Sequence, residues 1–137
     1  MPLTQAEREL LDQPAFATLV TLMPDGGPQA TAIWYRRDGE TLRMACGASS
    51  VKARNITRDP RVAVTVIDPG NPYAFIQVRG AAEVVADSDL ARAEFRILAH
   101  RYMGEEAGAA WAESLPQTSD FAVLVINPER TSLTSAM

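Results

Sequence analysis

A chain of 137 residues, 47% apolar and 22% charged, has the length and composition of one ordinary globular domain, expected here over residues 1–137. Seventeen acidic against thirteen basic side chains and a pI near 5.0 argue against nucleic acid as a partner, and no apolar run approaches the roughly 18 residues that cross a membrane. One cysteine, Cys46, excludes an intrachain disulfide, one histidine, His100, leaves no cluster of the usual metal ligands, and the start lacks a secretory leader pattern, so the expectation is a cytoplasmic protein.

Thr4-Gln-Ala-Glu7 is a capping box, so a short helix is expected to run to about Asp12 and stop at Pro14. Ala15 to Leu22 and Gln29 to Arg36 read as the strands of a hairpin around Met23-Pro-Asp-Gly-Gly-Pro28. Asp38-Gly39 turns the chain into a third strand, Thr41 to Cys46, completing a meander. Gly47 to Ser50 is a turn of small residues, Val51 to Asp59 forms one or two helical turns, and Arg61 to Ile67 is a strong strand. Pro69-Gly-Asn-Pro72 leads into Tyr73 to Ala86, too long for a flat strand and interrupted by Gly80, where a bulge or barrel corner is expected. Asp87-Ser-Asp89 caps a helix with Ala91, Phe95, Leu98, Ala99 and Tyr102 at helical spacing, closed by Gly104. A second helix from Glu105 to Ser114 carries Trp111, Phe121 to Ile126 is the last strong strand, and Arg130 to Ser135 is a short weak one. Six or seven mostly antiparallel strands without a strand-helix alternation fit a mainly β, Greek-key type barrel. No glycine fingerprint of a Rossmann site or a P-loop is present.

The chemistry concentrates after the third strand. Gly47, Ala48, Ser49 and Ser50 offer two hydroxyls and free amides at a helix start, a place for an anion such as a phosphate. Lys52, the sole lysine, follows, with Arg54 and Arg58 behind it. Residues 36–61 hold seven basic side chains against three acids, about +4, while the rest of the chain is about −8. A solvated helix face accounts for such an island as well as a ligand does.

The run Ser50-Val-Lys52-Ala-Arg-Asn55-Ile-Thr-Arg-Asp59-Pro60-Arg-Val62 resembles the signature of the pyridoxamine-phosphate-oxidase-like split β-barrel superfamily, S-x-K-x-x-N-hydrophobic-x-x-D/N-P-x-hydrophobic. Pro28-Gln-Ala-Thr-Ala-Ile-Trp34-Tyr35, followed by Asp38-Gly39, resembles the preceding strand of the branch of deazaflavin (coenzyme F420)-dependent oxidoreductases. The likeness runs over about residues 5 to 86 and more loosely to the end.

The resemblance implies an FMN-binding-like split barrel that forms a homodimer with cofactor at the interface, and hydride transfer between reduced F420 and an unsaturated small-molecule acceptor. In that frame Lys52 and Ser50 meet the cofactor phosphate, with Ser49 and Arg54 as secondary candidates. Thr31, Ala32, Ile33 and Trp34, with Met44, Ala45 and Cys46, form the ledge for the flat ring, and Gln77 and Arg79 are candidates for its edge or tail from a partner chain. Asn55 and Asp59-Pro60 are structural, the Asn bonding loop backbone and the Pro ending the helix. Arg36, Arg37, Arg54 and Arg58 are candidates for a groove that takes an anionic tail. Core packing accounts for Trp34 as readily as ring contact does, Cys46 reads as a small buried apolar residue, Gln77 fits an exposed face, and Trp111 is either a helix anchor or a pocket wall. The branch often carries arginine where Ser50 stands, and a serine suits flavin mononucleotide (FMN) with its single terminal phosphate. An FMN-dependent oxidoreductase and a non-catalytic cofactor-binding protein are therefore the alternatives. No general acid stands out, which leaves water, Tyr35 or Tyr73 as the proton source.

Overall fold

The computed structural model describes residues 2–135. Among them are α1 (Gln5–Leu11), β1 (Ala17–Leu22), β2 (Pro28–Ile33), β3 (Arg36–Asp38), β4 (Thr41–Gly47), α2 (Val51–Arg58), β5 (Arg61–Ile67), β6 (Ala74–Val85), α3 (Ser88–Met103), α4 (Glu105–Glu113) and β7 (Phe121–Ser135). All neighbouring strands are antiparallel, in the order β2-β1-β5-β6-β7-β4-β3. The expected mainly β split barrel is therefore present. No helix is long and apolar enough to cross a membrane among the described residues.

The edges of this sheet show why it curls. In a flat array β2 and β3 would lie six strand spacings apart, about 29 Å. They are consecutive in the chain, and the link from Ile33 to Arg36 reaches at most about 11 Å. The sheet must wrap until its edges nearly meet, and its interior fills with Leu19, Tyr35, Leu42, Met44, Ile76, Leu124 and Ile126, all fully buried. Helix α3 covers the outer side of β7, packing Ala91 onto Val123 and Val125, which is why that strand is apolar on both faces.

Local chemistry fixes the helix ends. The Thr4 hydroxyl accepts from Glu7 N at 3.1 Å and the Glu7 carboxylate accepts from Thr4 N at 2.8 Å, the expected box. Asp87 accepts from Leu90 N at 3.1 Å, and Gly104 ends α3 at φ +89°. The register of β6 against β7 shifts between Arg79 and Gly80, as the glycine suggested. A Cβ at Gly80 would stand 2.0 Å from the carbonyl oxygen of Asn127, so that crossing admits no side chain.

Three sequence expectations fail on pairing. The strand expected over residues 29–36 breaks at Trp34-Tyr35, where the chain leaves β1 and joins β4. Tyr35 N donates to the Tyr102 hydroxyl at 3.2 Å, and Tyr35 O lies 3.0 Å from it, so one phenol replaces the ladder at the break. The meander is absent, because β4 pairs with β7 and β3 and not with β2. The last two strands are one, since β7 runs through Pro128 where the β6 register shift accommodates a residue that cannot donate.

Candidate functional site

Strand β4 delivers the loop of small residues to the N-terminus of α2. Some of its amides are spent internally: Ala48 N donates to Asp120 O at 2.9 Å, Ser50 N to Gly47 O at 3.1 Å, and Ala53 N to the Ser50 hydroxyl at 3.3 Å. The amides of Ser49, Val51 and Lys52 have no acceptor among the described residues. Three free donors at a helix start make a focus of positive potential. Ser50 thus serves first as the helix cap. A cleft of about 440 Å³ opens in front of Ser49, bounded by Gly47, Ser119, Asp120 and Phe121. Asp120 went unnoticed in the sequence, since only the pairing of β4 with β7 brings it there.

The basic island is mostly neutralised from within. Arg36 forms a two-pronged pair with Glu94, which is 3% exposed, and Arg37 forms one with Asp12 at 2.8 Å on each arm. Arg43 lies 3.6 Å from Asp38, Arg61 pairs with Asp59 at 2.7 Å, and Arg58 donates to Leu22 O and to Asn55. The expected groove of Arg36, Arg37, Arg54 and Arg58 is therefore not formed, because three of those guanidiniums hold the fold together. Lys52 and Arg54, in the first turn of α2, have neither an ion pair nor a side-chain hydrogen bond among the described residues, whereas Arg58 has no ion pair but is held by its two neutral acceptors. Lys52 is half-buried and Arg54 exposed.

Beside the loop lies the split itself. Strand β3 covers β4 only from Thr41 to Arg43, so Met44 to Gly47 keep an open edge on that side. Strand β2 is the other end of the sheet and has an open edge of its own. A cleft of about 360 Å³ brings Ala32 and Ile33 of β2 together with Ala45 of β4 and is walled by Phe16, Trp34, Phe95, Leu98 and Trp111. Thr31 follows the same strand, half-buried. Met44 and Cys46 contribute backbone alone, as their side chains point into the core. Burial pushes the Cys46 thiol up, while a hydrogen bond from Ser50 and the Lys52 charge pull it down.

Trp34 packs against its aromatic neighbours and also lines the cleft. Its ring lies parallel to that of Tyr102 at 5.1 Å and tilted against Trp111 at 5.1 Å. Trp111 is likewise anchor and wall. Tyr35 is no proton donor for this cleft: it is fully buried and its hydroxyl donates to Leu11 O at 2.8 Å. Burial accordingly raises its pKa. Asn55 is structural, though not as expected. It donates to the Thr21 hydroxyl at 3.0 Å and accepts from Arg58, tying α2 to β1 instead of to its own loop.

Gln77 stands apart. It sits on the outer face of β6 between Thr65 and Ser132, in a pocket of about 280 Å³ with Arg79 and Arg130. Within one chain that face does not adjoin the split. Arg130 was not singled out beforehand, and Phe16 and Leu98 were not seen as cleft walls; their spacing carries no signal, since they converge from β1's approach and α3.

A family model for pyridoxamine 5'-phosphate oxidase matches residues 3–135. The chain belongs to that family. The family includes oxidoreductases that bind flavin or F420. No protein of curated function matches the chain. A solved F420 reductase is 34% identical over 95% of this family member and 98% of its own chain, with a TM-score of 0.77. A conserved hypothetical protein of Mycobacterium tuberculosis is 24% identical over 97% and 85% of the two chains, with a TM-score of 0.76. General Stress Protein 26 of Bacillus anthracis is 19% identical over 92% and 88%, with a TM-score of 0.68. The last two show the shared fold alone.

Proposed function

We propose that this protein is an F420-dependent reductase, working as a homodimer, that passes a hydride from reduced F420 to an unsaturated small molecule. The observation that carries this reading is the alignment of three free amides and the unpaired Lys52 with the open edges of β2 and β4. An anionic cofactor with a flat ring needs that pair of features. The likeness to a solved F420 reductase supports F420 as the cofactor.

In this reading Lys52 and the amides of Ser49, Val51 and Lys52 hold the phosphate, with Ser50 beside it as the helix cap and Arg54 at the rim. The exposed Ala32 and the small Ala45 let a ring approach the strands, and unpaired backbone groups of β2 meet its polar edge. When bound, the deazaflavin supplies the hydride. Trp34 closes one side of the cleft against water. The single proton that completes the reduction comes from solvent, because Tyr35 is sealed in the core and Tyr73 is 65% exposed at the turn before β6. The outer face of β6, with Gln77, Arg79 and Arg130, is the surface offered to the second protomer.

FMN is the second reading, favoured by a specific observation. Among the described residues Lys52 and Arg54 are the α2 cations with no side-chain partner, Arg58 being occupied by Leu22 O and Asn55, and two free cations suit one terminal phosphate better than a long anionic tail. Titrating the protein with F420 and with FMN, on the wild type and on Lys52→Ala, decides between them. Loss of one charge-assisted phosphate contact is expected to weaken F420 about 10- to 100-fold. Tighter binding of FMN than of F420 transfers the reading to flavin. Binding of either without turnover of any acceptor leaves a cofactor-binding protein.

A further inference from the structure

A carboxylate stands beside the loop that offers its amides to an anion. Asp120 lines the cleft in front of Ser49 and is the one ionisable residue among those that bound it. Its side chain has neither a hydrogen bond nor an ion pair among the described residues. Most other aspartates of the chain are engaged. Asp12, Asp38 and Asp59 pair with arginines, and Asp25, Asp68 and Asp87 accept a backbone amide.

The backbone holds Asp120 in place without using that carboxylate. Asp120 O accepts from Ala48 N at 2.9 Å, which ties the residue to the loop itself. On one side Arg92 donates to Ser119 O at 3.0 Å, and on the other Phe121 N donates to the Ser88 hydroxyl at 3.0 Å. The Arg92 guanidinium also lies 4.9 Å from the centre of the Phe121 ring. A fixed, unpaired negative charge is thus kept next to the free amides of Ser49, Val51 and Lys52.

The sign of that charge decides what it does. Lys52 and the start of α2 draw an anion to the loop, and Asp120 opposes them. The Coulomb cost imposed by a fixed carboxylate grows in proportion to the charge of the ligand. A phosphate monoester carries about two negative charges near neutral pH, and a phosphodiester carries a single one. Both present the same kind of oxygen to the same amides, so the carboxylate tells them apart by charge alone.

Resting on the function proposed above, we propose that Asp120 is a specificity-determining residue, which biases the loop toward a cofactor joined through a singly charged phosphodiester and against one that ends in a doubly charged phosphomonoester. F420 is of the first kind and FMN of the second. One side chain thereby separates the two cofactor readings.

The test is calorimetric titration near neutral pH with FMN and with its phosphate monomethyl ester, which share ring and ribityl chain and differ by one charge. F420 is titrated alongside, and the proteins are the wild type, Asp120→Asn and Lys52→Ala. Asp120→Asn removes the charge and keeps the shape, and it breaks no bond of the fold; Asp120→Ser should act in the same direction. The asparagine variant should bind the methyl ester about threefold and FMN about tenfold more tightly than the wild type, the second factor being near the square of the first because the charge is doubled. Asp120 is exposed, so both gains should vanish in about 1 M salt, where the screening length is about 3 Å. Equal gains for the two ligands, no gain, or a loss overturns the proposal, the last because the carboxylate then accepts a hydrogen bond from the ligand. Lys52→Ala should weaken both ligands, and a Lys52 effect without an Asp120 effect overturns the selector alone. No effect of Lys52→Ala, or no binding of F420 or either flavin, overturns the reading that the loop holds the cofactor phosphate, and the selector with it.

Discussion

Trp34 and Tyr35 adjoin in the chain and face opposite ways, one into the cleft and one into the core. They lie at the break between β2 and β3, and which residue goes inward depends on the partners waiting there. Tyr35 finds Leu11 O at 2.8 Å and the guanidinium of Arg101 5.2 Å above its ring. Tyr35→Phe should cost about 1 kcal/mol in urea unfolding, one net hydrogen bond, because Arg101 still donates to the same carbonyl at 3.1 Å. Cofactor affinity should not change. A loss above about 3 kcal/mol would mean that the phenol organises more than the end of α1. The turn and helix around α2 were legible in the sequence: Ser50, Lys52 and Pro60 stand at the cap, in the first turn and just past the end of α2. The fate of the arginines was not. A guanidinium's partner is often far along the chain, and the 58-residue step from Arg36 to Glu94 leaves no trace in local charge counts.

At the scale of elements, the α3–α4 hairpin decides the cleft. Its amphipathic spacing announced α3, and Gly104 marked the break between the helices, yet nothing in either pattern said that Phe95 and Trp111 would face β2. Gly108 is the hinge point of that packing. Gly108→Ala places a methyl 2.7 Å from the carbonyl of Ala99 and 2.8 Å from His100 N, all backbone, so the helices must part. The expected cost is about 2 kcal/mol of stability, offset in part by the better helix propensity of alanine. A thermal midpoint equal to the wild type's would show that α4 sits more loosely than this contact requires.

For the whole molecule, buried and paired ionisable groups set the pH range of stability. Cys46 and Tyr35 are raised by burial, so the native state keeps protons that the unfolded chain loses first. Their contribution is full below the ordinary thiol value of 9.0 and drains away as pH rises beyond it. Asp12 is lowered by Arg37, and Asp59 is lowered to about 2 by Arg61. Their contribution is present above the ordinary value of 3.8 and is lost as pH falls below it. The acidic limb should be shallow and weakened by salt, since both carboxylates lie near the surface, and the alkaline limb steeper and indifferent to salt. Thermal unfolding across pH at two salt concentrations checks this. An alkaline limb absent above pH 9.0 would contradict the burial of both groups.

Local determinants were readable from the chain alone because they act over a few residues: the capping box at Thr4, the caps at Ser50 and Asp87, the bulge at Gly80 and the helix stop at Pro60. The helix start at Ser50 with Lys52 two residues into it belongs with them, since neither needs a distant partner. Tertiary structure alone decided the break at Trp34, the pairing of β4 with β7, the two open edges of the split and the aromatic cleft beside them. Each of these depends on which of several compatible strand pairings lets the interior close around Tyr35, Met44 and Ile126, and burial of a shared core is a property of the whole chain that no window of sequence contains.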